Sequence, residues 1–123
     1  MDKFDIQVDR NLKGIEYEKC GEISKAIDLY EKNIAENFEG NHPYDRLAVI
    51  YRKQKRLDDE IRVLEKAIYV FENIVYKNRG DRTPKLEKFI KRLIKVKKLK
   101  MKKFKQSLKE MSENFIKITG AVK

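Results

Sequence analysis

The apolar residues of this chain recur at three- and four-residue steps in separate stretches, each closed by a short polar turn, which is the pattern of amphipathic helices. Phe4, Val8, Leu12 and Ile15, followed by Tyr17, form the first stretch and stop at Cys20-Gly21. Ile23, Ala26, Ile27, Tyr30 and Ile34 form the second, expected to run antiparallel to the first once Gly21 has turned the chain. Asn37 to Pro43 (NFEGNHP) is rich in turn formers, and Pro43 suits the first turn of a third helix carrying Leu47, Ala48, Ile50 and Tyr51. Gln54 to Arg56 turn the chain without a glycine. Leu57, Ile61, Leu64, Ala67, Ile68 and Phe71 then predict a fourth helix reaching to Tyr76.

A step of 34 residues relates the first pair of stretches to the second: Gly14 recurs as Ala48, Tyr17 as Tyr51, Ile23 as Leu57, Ile27 as Ile61, Glu31 and Lys32 as Glu65 and Lys66, and Ile34 as Ile68. A period in this range marks stacked supersecondary units, each too small to bury its apolar face alone. Small residues at Gly14 and Ala26 let two helices approach where they cross, and Tyr17 and Tyr30 fill the space around the crossing.

Gly14, Tyr17, Gly21, Ala26 and Tyr30 stand at the mutual spacings of the small, aromatic, glycine, alanine and aromatic positions of the tetratricopeptide repeat, which the chain resembles over about residues 5–72. The second copy keeps Leu47, Ala48, Tyr51, Leu57 and Ala67, but has Lys55 where glycine is usual and Glu60 where alanine is usual. Phe38 stands near where the family often has proline. The resemblance implies an all-α fold of antiparallel helical hairpins, two repeats at 5–38 and 39–77 within one domain over 1–123. It also implies a non-catalytic adaptor that binds a protein or peptide on the face lined by the first helix of each repeat. That face holds Asn11, Ile15, Glu18, Lys19, His42, Asp45, Val49, Arg52 and Lys53, a set of mixed charge. The family's carboxylate clamp favours Lys and then Asn four residues on in its first repeat; Asn11 and Ile15 depart from it, so a chaperone-tail role is unsupported.

No third copy follows. Asn78 to Thr83 (NRGDRT) is a polar break, Thr83 can cap a helix, Pro84 fits a first turn, and no further breaker occurs before Gly120. The segment 83–119 therefore reads as a long basic helix that caps the repeats and can oligomerise. Ile90, Ile94, Lys97, Met101, Phe104, Leu108, Met111 and Phe115 step alternately by four and three along it, a heptad row flanked by Leu86, Phe89 and Leu93. Either this helix projects, or it bends near Lys97 to Lys103 and folds back. The row offers a homodimer contact through Ile90, Ile94, Met101, Phe104, Leu108, Met111 and Phe115.

Charge sharpens the division between front and rear. Residues 1–76 carry net −3, residues 77–109 carry net +13 and residues 110–123 balance, within a total of +10 over 123 residues. A basic surface of Lys88, Lys91, Arg92, Lys95, Lys98, Lys102, Lys105 and Lys109 gives the second function class, a nucleic-acid-associated protein that contacts phosphates through 77–109. Stacking aromatics do not interleave it: Phe89 and Phe104 belong to the apolar side. An acidic protein partner is steered by the same charges. No apolar run approaches a membrane span, and the start MDKFDIQVDR lacks the basic-then-apolar order of a secretory signal, so the expected location is the cytoplasm, with no membrane partner.

Candidate catalytic chemistry is sparse. One His and one Cys leave no Cys/His ligand set, and no phosphate-cradling glycine loop is present. His42 beside Pro43 reads as a helix-start residue, Cys20 as a small apolar residue packed between helices, and Asp58, Asp59 and Glu60 as helix-opening acids that suit the dipole. The expectation is no enzyme, no cofactor and no metal.

Overall fold

The computed structural model describes residues 2–120, which form five helices: α1 (Lys3–Lys19), α2 (Ile23–Ala35), α3 (His42–Lys53), α4 (Leu57–Asn73) and α5 (Arg82–Thr119). Among the described residues there is no strand. α1 packs on α2 and α3 on α4, the two hairpins meet along α2 and α3, and α5 lies against α4. The fold is all-α, two helical hairpins followed by one long helix.

The two hairpins turn in the same way. At the end of α1, Gly21 has φ +76° and the N–H of Glu22 donates to Tyr17 O at 2.9 Å. One period later Lys55 has φ +60° and the N–H of Arg56 donates to Tyr51 O at 2.8 Å. Both are the left-handed helix stop that glycine makes without strain. Lysine there carries a cost of roughly 1–2 kcal/mol, because its Cβ crowds the following carbonyl. Lys55→Gly is therefore expected to stabilise the protein by about 1 kcal/mol, part of the relief being returned as glycine's extra freedom in the unfolded chain. Urea denaturation reads this directly, and an unchanged or lower midpoint contradicts it.

The core joins all five helices but is richest around α3 and α4. Tyr30, Tyr44, Leu47, Val63, Leu64, Ala67, Val70 and Phe71 are fully buried, and α5 adds Phe89 and Val96. Phe89 meets Tyr44 and Phe71 edge-on, with ring centroids 6.1 and 5.3 Å apart. Leu86, Leu93 and Leu99 pack beside them. The first half of α5 thus closes the open side of the second hairpin. Its 38 residues are one unbroken helix, about 57 Å at roughly 1.5 Å per residue. It does not fold back near Lys97 to Lys103; its second half projects. The heptad row from Ile90 to Phe115 is the exposed stripe, and the flanking residues are the ones that enter the core.

Four local expectations are corrected. α1 does not bury Phe4 and Leu12, which are exposed; it buries Gln7, Asn11 and Gly14. The reason is Asn33 of α2, fully buried, whose Nδ2 donates to Gln7 O at 2.8 Å and Asn11 Oδ1 at 2.9 Å. Asn33 thus finds one partner in the Gln7 main chain and one in the Asn11 side chain, while the Gln7 amide donates to Glu36 Oε1 at 3.1 Å, so the inner face of α1 is held by polar contacts to α2 and its C-terminal turn. Cys20 is exposed rather than packed between helices, because it sits at the C-cap of α1, where the chain reverses. α4 stops at Asn73: Val75 turns inward, its N–H donating to Val70 O at 2.9 Å, and Tyr76 stays in solvent. Thr83 lies inside α5, whose N-cap is Asp81; the Asp81 carboxylate pairs with Arg79 and Lys85, which hold its pKa down to about 2.

Candidate peptide-binding groove

The residues expected to line one concave face fall into two groups. The first group ties helices together. Asn11 is part of the polar seam under α2. Glu18 receives the Arg46 guanidinium, with Nη2 at 2.6 Å, and the Tyr30 hydroxyl at 2.6 Å, so it fastens α1 to both α2 and α3. Burial pushes the Glu18 carboxyl upward, but the hydrogen bonds from Arg46 and Tyr30 prevail and hold it below the usual carboxylate range. Asp45 receives Arg92 Nη1 at 2.6 Å and Asn41 Nδ2 at 2.6 Å, which joins α3 to α5. His42 opens α3 with its ring edge-on to Tyr30, centroids 5.4 Å apart. Burial keeps it below the ordinary histidine value, against the pull of Glu18, and among the described residues its Nε2 meets no hydrogen-bond partner. Ile15 is half-buried, and Lys19 is exposed beside Glu16.

The second group forms an open groove. Val49, Arg52 and Lys53 of α3 meet Arg92 and Lys95 of α5 across a space of about 330 Å³, with Ala48 and Glu60 completing the wall. α3 presents these side chains because Leu47, Ala48, Ile50 and Tyr51 take its inner face. α5 presents Arg92 and Lys95 because Phe89, Leu93 and Val96 are its docking face. Glu60, only 4% exposed, holds Arg52 in a two-pronged pair, Nε to Oε1 at 2.6 Å and Nη2 to Oε2 at 2.9 Å. Arg92 is similarly fixed by Asp45. Lys53 and Lys95 make no ion pair among the described residues. The groove is therefore an apolar floor of Ala48 and Val49 under four cations, two anchored and two free. Such a site suits an extended acidic segment, with carboxylates on the rim and small apolar side chains on the floor.

Glu60 and Ala48 are the groove residues that sequence reasoning passed over. The signal for Glu60 was present, since a carboxylate stands where its counterpart in the first repeat is Ala26. The meeting of Arg52 and Lys53 with Arg92 and Lys95 had no local signal, because it depends on how α5 docks.

A second basic feature runs along α5 and shares Lys95 with the groove. Lys88, Lys91, Lys95, Lys98, Lys102, Lys105 and Lys109 step by three and four along one exposed side of α5. They make a lysine row beside the exposed apolar row. The first lies against the body and the last on the projecting half. Among the described residues no group of three or more His, Cys, Asp or Glu side chains comes together in a way that could hold a metal ion. No described helix is long and apolar enough to cross a membrane. Comparison of the chain with protein-family models, with curated proteins and with solved structures gave no match.

Proposed function

We propose that this protein is a non-catalytic binding module of tetratricopeptide type, and that it takes an acidic, extended protein segment in the groove between α3 and α5. The observation that carries the reading is the pairing of two free lysines, Lys53 and Lys95, with two arginines already held in place by Glu60 and Asp45. An arginine fixed by its own carboxylate loses little side-chain entropy when a ligand arrives, so the groove is ordered in advance. The 34-residue recurrence and the matching turns at Gly21 and Lys55 support the repeat assignment. Fluorescence anisotropy with a labelled pool of mixed acidic peptides tests it. The double variant Lys53→Glu, Lys95→Glu is expected to weaken binding at least about tenfold, the effect of losing about 1.4 kcal/mol, while keeping its helical signal. No binding of any acidic pool, or binding indifferent to the two reversals, overturns the reading.

The lysine row favours a second reading, phosphate contacts to nucleic acid along the exposed side of α5. Seven lysines over about 30 Å, at roughly 1.5 Å per residue, would release counterions on binding, so affinity should fall steeply with salt. Duplex DNA and single-stranded RNA titrated at two salt concentrations decide it. Lys102→Ala, Lys105→Ala, Lys109→Ala should reduce this binding and leave peptide binding in the groove intact. No binding even at low salt removes the nucleic-acid reading alone.

A further inference from the structure

Beyond Lys100 the side chains of α5 are exposed almost without interruption, yet the stripe they carry is apolar. Met101, Phe104, Leu108, Met111, Phe115 and Ile118 continue the alternating three and four spacing; Phe104 is 60% exposed and Ile118 85%. That spacing keeps one seam facing a partner helix when two helices supercoil. At the root of the projecting half, the same seam opens into a mostly apolar crevice of about 520 Å³. Met101, Phe104, Lys97 and Lys100 line it with Ile61 and Glu65 of α4.

We propose that a second copy of the chain covers this seam in an antiparallel pair, with its two-fold axis passing between Lys109 and Glu110. Centred there, every apolar layer finds an apolar partner: Leu108 faces Met111 of the other copy, Phe104 faces Phe115, and Met101 faces Ile118. The crevice beside Ile61 then receives Phe115 and Ile118 of the other copy, so the exposed end of one helix fills a mostly apolar crevice on the other body.

Charge selects this arrangement over the alternatives. Residues 101–109 carry four lysines and no acid, whereas residues 110–119 carry Glu110 and Glu113 against Lys117. An antiparallel pair lays the +4 half of each helix on the −1 half of the other. A parallel pair lays +4 on +4 and brings Lys100 beside Lys105 of the other copy on both flanks of the seam, where like charges oppose pairing. The register follows from the same residues. Sliding the antiparallel pair one heptad toward the bodies forces Lys97 against Phe115 and sets Lys105 beside its own counterpart. Sliding it one heptad the other way uncovers Met101 and Phe104. In the chosen register Lys98 and Lys105 flank Thr119 and Ser112 of the other copy, and the two bodies lie at opposite ends of the shared rod. The contact is self-complementary, as a two-fold interface must be.

The test uses the full chain with the exposed Cys20 replaced by Ser. Light scattering is expected to give the mass of a dimer. Cysteine at Met101→Cys alone should not cross-link, its two copies lying about 25 Å apart along the rod at roughly 1.5 Å per residue. A mixture of Met101→Cys and Ile118→Cys chains should form the mixed disulfide. Leu108→Glu, next to the axis, should return the protein to a monomer that keeps its helical signal. A strict monomer at high concentration overturns the proposal. So does a Met101→Cys homodisulfide, or a dimer in which the mixed disulfide fails to form.

Discussion

Phe89→Ala is expected to lower stability by about 3–5 kcal/mol, the usual cost of removing a fully buried phenylalanine, which is a large share of the roughly 5–15 kcal/mol that holds a domain together. Phe89 is 1% exposed and sits between Tyr44 of α3 and Phe71 of α4. It is the largest apolar side chain by which α5 reaches the core, with Leu86, Leu93, Val96 and Leu99 giving smaller contacts. The two ion pairs that also tie α5 down, Arg92 to Asp45 and Lys100 to Asp58, are weaker ties. Lys100–Asp58 is open to solvent and contributes about 0–1 kcal/mol, and the part-buried Arg92–Asp45 pair about 1–2 kcal/mol as a charge-assisted hydrogen bond. Asp45→Asn should therefore cost about 1–2 kcal/mol, well under the loss from Phe89→Ala, which loosens the whole helix. Chemical denaturation gives the two values, and hydrogen exchange along α5 shows whether its first half opens. If the two substitutions cost the same, docking by aromatic packing is the wrong account.

That contrast bears on what the sequence could disclose. The helical periods and the 34-residue step lead directly to the hairpins, because they depend on neighbours within one helix or one turn. Which stripe of α5 docks could not be read in this way. Leu86, Phe89, Leu93 and Val96 run at helical spacing beside Ile90, Ile94, Met101 and Phe104, and both rows are apolar. The choice is made by Tyr44 and Phe71, which offer an aromatic cleft that Phe89 fits. The groove inherits the same blindness: Arg52 and Lys53 are visible on α3, but only the docked α5 sets Arg92 and Lys95 opposite them. In α1 the misleading feature was the polar seam, since fully buried Asn33 draws the Asn11 side chain inward and Glu36 holds the Gln7 amide, leaving Phe4 and Leu12 exposed.

The second large effect is a size exchange at the crossing of α1 and α2. A Cβ added at Gly14 would run into the ring of Tyr30, and that ring cannot swing aside: it is fully buried and its hydroxyl is held by Glu18 at 2.6 Å. Gly14→Ala gains about 1 kcal/mol in helix propensity, but overpacking costs typically 1–3 kcal/mol and more where nothing can yield. The expected result is a net loss of about 2 kcal/mol. Tyr30→Leu alone opens a cavity at the same crossing and should cost about 2–4 kcal/mol. One period on, the chain carries Ala48 and Leu64 at the equivalent positions, both buried. The double variant Gly14→Ala, Tyr30→Leu therefore reproduces a crossing this protein already builds. Its loss should be smaller than the sum of the single losses by about 1–3 kcal/mol, the range of coupling between residues in contact. A double-mutant cycle by urea denaturation measures this. Strict additivity would mean that the two hairpins do not share one crossing geometry, and that their common 34-residue step reflects turn spacing alone.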